Sequence, residues 1–211
     1  MATLSSPASL WIGPAALVLA SKSASRRLVL ASAGIEAEIE PAAVDERRIE
    51  DEYLAAGGAP SQLAVQLARA KALEVSARRS QAWCLGADQT LSLDGQMFHK
   101  PLDMESAAQG LRQLSGRTHV LTSAVCVAAG GNILFEAAPT ARLTMRPLDA
   151  GAIERYLAAA GRAVLSSVGA YQVEGLGVHL FETIEGDHST ILGLPLLVLL
   201  GWFRSQGCLA I

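Results

Sequence analysis

Ala16-Leu17-Val18-Leu19-Ala20-Ser21-Lys22-Ser23-Ala24-Ser25-Arg26-Arg27-Leu28-Val29-Leu30 begins as an apolar, strand-like run and ends as a helix-like one. Between them lies a turn from Ala20 to Arg27. A turn at the carboxyl end of a strand that opens a helix presents free backbone N–H groups and the positive end of the helix dipole. This turn adds the hydroxyls of Ser21, Ser23 and Ser25 and the cations Lys22, Arg26 and Arg27. Guanidinium forks pair with phosphate oxygens, and hydroxyls donate into the same oxygens. The stretch therefore predicts a strand–turn–helix unit that cradles an anion, with a polyphosphate the best match.

Outward from this unit the pattern continues as α/β. Ile35–Glu40 alternates as a second strand, and Pro41–Ala59 reads as a polar, acidic loop. A helix follows Gly57-Gly58-Ala59-Pro60, with Leu63, Leu67, Ala70 and Glu74 at helical spacing. Trp83-Cys84-Leu85 reads as a short buried strand ending in Gly86-Ala87-Asp88-Gln89. Asp94-Gly95 and Gly130-Gly131-Asn132 mark two hairpins. Further helices are expected from the Asp103 cap to Ser115, over Asp149–Ala160 and over Pro195–Arg204. Thr140–Arg146 alternates as a half-buried strand, Gly169–Gly177 reads as a Gly-rich loop, and Val178–Ile184 as another strand. Helices and strands alternate first and strands dominate later, which predicts an α/β fold on a mixed sheet. With no repeat and no low-complexity linker, residues 15–211 read as one domain and residues 1–14 as a flexible N-terminal extension.

The bulk numbers narrow the function classes. Apolar residues make up 51% of the 211-residue chain and charged ones 18%, a core-forming composition rather than a disordered one. A net charge of -3 lacks the basic face that duplex nucleic acid requires. Cys84, Cys126 and Cys208 are far apart and form no CxxC, as expected of reduced thiols in a cytosolic protein. No Lys or Arg precedes the apolar run Leu10–Ala20, against a secretory signal, and Leu192–Phe203 is too short to span a bilayer. A cytoplasmic protein with no membrane partner is expected.

Several residues could carry chemistry beside the cradle. Asp88, just past a buried strand, could hold Mg²⁺ or orient a water, or could merely cap a turn. Asp45 and Glu46 could share a divalent cation, although a solvated acidic loop is the plainer reading. Lys71 could reach a phosphate or be ordinary surface charge, whereas Lys100 precedes a proline that fixes its backbone. P-loop, GxSxG, HExxH and post-strand GxGxxG motifs are missing from the chain. His99, His119, His179 and His188 have no ligand spacing, and Asp187-His188-Ser189 is too contiguous to converge as a triad.

Taken together, the chain from about Ala15 to Gly207 resembles the Maf family of nucleotide pyrophosphatases. The resemblance rests on spaced motifs in order: Leu19–Arg27, Val44-Asp45-Glu46, Leu67–Ala72, Leu85–Asp88, Lys100-Pro101, Leu114–His119, Gly169-Ala170-Tyr171 and Ile191–Leu196. It implies a Maf/ITPase-like mixed twisted sheet with flanking helices, two lobes around a central cleft, and a homodimer. It implies hydrolysis of nucleoside triphosphates, non-standard or modified ones among them, to the monophosphate and pyrophosphate, with Mg²⁺ or Mn²⁺ as cofactor. By the same resemblance Asp88 matches the catalytic acidic residue and, with Asp45, the metal-binding positions. Ser21, Arg26, Arg27, Lys71 and Lys100 match phosphate- and cleft-binding positions.

The departures concern the base. Ala24 replaces a proline common in the family. Gln89 and Glu174 stand where members acting on dTTP and UTP have threonine and glutamine, and resemble the branch acting on 7-methyl-GTP. Ala87 and Tyr171 do not follow that branch's serine and phenylalanine. A carboxylate at Glu174 would favour the N–H donors of a guanine edge. The alternatives are therefore a 7-methyl-GTP-specific or dTTP/UTP-specific member, or a non-catalytic nucleotide-binding regulator of cell division.

Overall fold

The protein is described here by a computed structural model covering residues 9–211; residues 1–8, the first part of the expected extension, lie outside the described residues. The chain runs β1 (Leu17–Leu19), α1 (Ala24–Ser32), β2 (Glu38–Ile39), α2 (Glu46–Ala55) and α3 (Leu63–Arg78). It continues with β3 (Trp83–Leu93), β4 (Gln96–Phe98), α4 (Met104–Leu114), β5 (Thr118–Ala129), β6 (Asn132–Ala137) and β7 (Thr140–Met145). α5 (Ala150–Ala160), β8 (Phe181–Glu185), α6 (His188–Ile191) and α7 (Leu196–Ser205) complete it. The strands form one sheet of order β2-β1-β3-β5-β7-β8, with β4 also on β3 and β6 also on β5. β1 is parallel to both neighbours and the other pairings are antiparallel, so the sheet is mixed as expected.

Strand parity sorts the long central pair. Leu85, Ala87, Gln89 and Leu91 of β3 lie opposite Val127, Val125, Ser123 and Leu121 of β5, all on one face. That face carries two clusters. One gathers Leu85, Ala87, Val125 and Val127 with Leu30, Leu199 and Phe203 from α1 and α7. The other gathers Leu91 and Leu121 with Leu111, Leu143, Ile153 and Leu157. The alternate positions Gly86, Asp88, Ala124 and Cys126 face α3. There Ala64, Ala68 and Ala72 keep the helix close to the sheet, and a Cβ on Gly86 would stand 2.2 Å from the Ala68 carbonyl oxygen.

Four expectations change. β3 does not stop at Leu85 but runs on through Leu93, because β5 pairs with it along nearly its whole length, so Asp88 and Gln89 lie inside a strand. The segment 41–59 is not all loop: Asp45 caps α2 by accepting from the Arg48 N–H at 3.0 Å. None of the α2 residues is buried, so apolar periodicity left no trace of it. Residues 176–180 form a 3₁₀ turn, and β8 begins only at Phe181. Finally, Trp11 is no part of a loose extension: it bridges Leu209 and packs edge-on against Phe203 and Trp83.

Candidate active site

The sheet itself opens the cleft. β1 pairs with β3 only over Trp83–Leu85 and β4 only over Leu91–Leu93, so Gly86–Thr90 has no strand partner on that edge. A cavity of about 920 Å³ lies over this gap, walled by the 20–26 turn, α2, α3, the β4 exit and the 166–174 segment. Asp88 sits at its floor, with an exposure of only 7%.

Asp88 faces α3, and one helical turn below Val75 that helix supplies Lys71. Lys71 is itself only 7% exposed, so it is not surface charge. Its Nζ donates to Asp88 Oδ1 at 2.6 Å and lies 2.8 Å from Glu46 Oε1. A buried lysine needs such partners, because an unpaired ammonium in a dry site is strongly unfavourable. Glu46 feels burial, which raises its pKa, but Lys71, then Lys100 and Arg26, outweigh that and hold it below the ordinary carboxylate value. Glu46 is therefore a carboxylate at neutral pH.

The turn beyond β1 is built to leave donors free. Ser23 caps α1 by accepting the Arg26 N–H. Ser21 Oγ accepts from the Ser23 N–H and from Arg26 Nη1 at 3.1 Å, which directs its own proton elsewhere. Arg26 Nε donates to the Gly193 carbonyl at 2.8 Å. Burial lowers the Arg26 pKa, and the nearby charges of Asp88 and Glu46 raise it only in part. A guanidinium remains cationic even so. Its remaining N–H groups thus stand half-buried near two carboxylates, with no protein acceptor found for Nη2 among the described residues.

Of the residues expected from sequence, Ser21, Arg26, Lys71, Asp88 and Lys100 line this one cavity. Four others stand differently. Arg27 is exposed on the outer side of α1 and does not line the cleft. Asp45 is spent on the α2 cap, and its neighbour Glu46, one step round the helix, is the carboxylate that reaches Lys71. Gln89 borders the cavity, but its amide nitrogen donates to Ser123 Oγ and to the Thr190 and Ile191 carbonyls at 2.9, 3.2 and 2.9 Å. Glu174 lies on the rim, where Ser25 Oγ donates to it at 3.2 Å. Glu46 was visible beside Asp45 in the sequence, yet only the start of α2 at Glu46 decides which of the two points inward.

Among the described residues, no group of three or more His, Cys, Asp or Glu side chains gathers at one point. The pair Glu46 and Asp88 nevertheless fits a hard divalent cation. Mg²⁺ is commonly bound by one or two carboxylates, its other ligands being water and substrate phosphate oxygens. The two carboxylates already converge on a cation, the Lys71 ammonium.

Comparisons with known proteins place the chain in a family. The family model described as Maf-like protein matches residues 16–206. A nucleoside triphosphate pyrophosphatase of Rhodopseudomonas palustris is 53% identical over 203 residues, covering 96% of this chain and 99% of the relative. A 7-methyl-GTP pyrophosphatase of Brucella abortus is 50% identical over 193 residues, covering 92% and 97%. Another of that name from Mesorhizobium japonicum is 51% identical over the same length and shares.

Proposed function

This chain belongs to the Maf family, and from that premise we propose that it is a nucleoside triphosphate pyrophosphatase, converting a nucleoside triphosphate and water into the monophosphate and pyrophosphate. The observation that carries the reading is the convergence of Ser21, Arg26, Glu46, Lys71 and Asp88 in one cleft. A site for binding alone has no need to set the buried carboxylate of Asp88, with Glu46 at the cleft mouth, beside the cations that would grip a polyanion. The regulator reading finds no such support. Identity does not separate the two relative names, so the base is left to experiment.

In the reaction an oxygen of water forms a bond to the α-phosphorus while the bond to the α–β bridging oxygen breaks. Charge then accumulates on the departing pyrophosphate. Arg26, the Ser21 hydroxyl and the first N–H groups of α1 face the phosphates and bind that charge. Lys71 holds Asp88 by Oδ1, leaving the second carboxylate oxygen to orient the water and accept its proton. Lys100, on the rim beside Glu46, adds positive charge where the chain of phosphates enters. Glu46 and Asp88 would hold a divalent cation, which supplies charge neutralisation for phosphoryl transfer.

Pyrophosphate release with Mg²⁺, over a panel of common, methylated and otherwise modified nucleoside triphosphates, tests the reading. Asp88→Asn is expected to lower kcat by at least about 100-fold with the nucleotide still bound. Orthophosphate as the first product, or nucleotide binding without turnover by the native chain, would overturn it.

A further inference from the structure

The face of the sheet opposite α3 is apolar on both sides of one polar pair. Along β3 and β5, Leu85, Ala87, Val125 and Val127 lie on one side and Leu91 and Leu121 on the other, and Gln89 and Ser123 lie between. Ser123 is fully buried. A polar pair in the middle of an apolar row is retained only where it satisfies other buried groups. Those groups are the Thr190 and Ile191 carbonyls at the end of α6, a four-residue helix; the Thr190 carbonyl also accepts the Gly193 N–H at 3.1 Å.

Ser123 Oγ donates to the Thr190 carbonyl at 2.6 Å. Gln89 Nε2 reaches the Thr190 and Ile191 carbonyls and Ser123 Oγ, three acceptors around one amide nitrogen. The same turn is held from its other end by Asp187, which caps α6, and by Ser189 Oγ, which accepts the Leu196 N–H at 2.9 Å. Two residues past Ile191 comes Gly193, with φ +88, a conformation natural to glycine and strained for other residues. Its carbonyl accepts Arg26 Nε, and a Cβ there would lie 3.5 Å from that same nitrogen. A continuous set of contacts thus runs from Gln89 and Ser123, through the Thr190–Gly193 turn, to the guanidinium that faces the cleft.

We propose that Gln89 and Ser123 are positioning residues for Arg26, so that Gln89 governs the grip on the phosphates and not the choice of base. The inference rests on the functional reading above. Without the clamp the Gly193 carbonyl loses its fixed place, Arg26 Nε loses its acceptor, and the guanidinium adopts several rotamers in place of one. The phosphate end of every substrate is weakened equally, because the clamp touches only backbone carbonyls, Ser123 and, through them, Arg26.

Gln89→Met keeps the length of the side chain and removes its donors; Ser123→Ala removes the second donor with a smaller change. Both are compared with the native chain in kcat/KM over the nucleotide panel and in the affinity for inorganic tripolyphosphate, which has no base. Each variant is expected to bind tripolyphosphate about 10-fold more weakly and to lose kcat/KM by the same factor for every base, leaving relative rates unchanged. In an Arg26→Ala background the Gln89→Met change is expected to have no further effect on tripolyphosphate affinity. Unfolding midpoints identify a variant that simply fails to fold, in which case the other variant carries the test. A changed order of bases with unaltered tripolyphosphate affinity would overturn the proposal, as would additive losses in the Arg26→Ala background. A native chain that binds tripolyphosphate yet releases no pyrophosphate would sink the functional reading alone, since affinity still reports the clamp. If the native chain does not bind tripolyphosphate, the clamp proposal fails too.

Discussion

His119 shows how far a single side chain can depart from its ordinary chemistry. It is fully buried on the same strand face as Ser123, its Nε2 is 2.7 Å from Tyr171 Oη, and its Nδ1 finds no partner. Burial alone lowers its pKa from 6.5 to about 4. The unfolded chain therefore takes up a proton below pH 6.5 that the folded chain refuses until about pH 4. The contribution is fully present above 6.5 and declines as pH falls through that window, by about 2 kcal/mol between pH 7 and pH 5. Urea unfolding at the two pH values, native against His119→Gln, reads the difference; equal pH slopes in both chains would contradict it. As a residue in sequence His119 offered the end of the Leu114–His119 motif and the absence of ligand spacing. Its partner Tyr171 is 52 positions away, and no local rule reaches so far. Ser21 and Arg26, by contrast, are five positions apart, and their closeness was legible from the turn that holds them both.

At the level of elements, legibility followed the reach of the rule. Asp103 caps α4 where expected, Asp149 caps the α5 expected over Asp149–Ala160, and Asp94-Gly95 turns β3 into β4 with both residues at positive φ. α2 was not legible because it buries no residue, and the extent of β3 was not because β5 decides it. The contact that matters most to the site is α3 on β3. Gly86 permits it, since a Cβ there would meet the Ala68 carbonyl oxygen at 2.2 Å and the Ala72 nitrogen at 2.6 Å. Both are backbone atoms, which can give way only if the helix moves. Gly86→Ala is expected to cost on the order of 3 kcal/mol, roughly 10 °C in Tm. Activity should fall further than stability alone requires, because Lys71 rides on the displaced helix. Thermal unfolding beside pyrophosphate release checks both, and an unchanged Tm would show that α3 does not sit as close as described.

For the whole molecule, the long strands β3 and β5 run beneath both core clusters and tie the two sides of the cleft together. All the tryptophans, Trp11, Trp83 and Trp202, belong to or pack against the cluster around α1 and α7. Tryptophan fluorescence therefore reports one side, and far-ultraviolet circular dichroism reports both. Their denaturant midpoints are expected to coincide, since neither strand can melt on one side alone; separate midpoints would show two independent units. The amino-acid sequence by itself determined the strand–turn–helix cradle, the capped helices, the hairpins and the set of cations and hydroxyls. These depend on neighbours within a few residues, where backbone sterics and short-range hydrogen bonds decide. Only the tertiary structure decided that Glu46 and not Asp45 meets Lys71, that the edge of β3 lies open between β1 and β4, and that Gln89 grips the α6 turn. Those outcomes depend on which face of a strand or helix a side chain takes. Strand pairing and burial between distant parts of the chain settle that face, and no short-range pattern contains it.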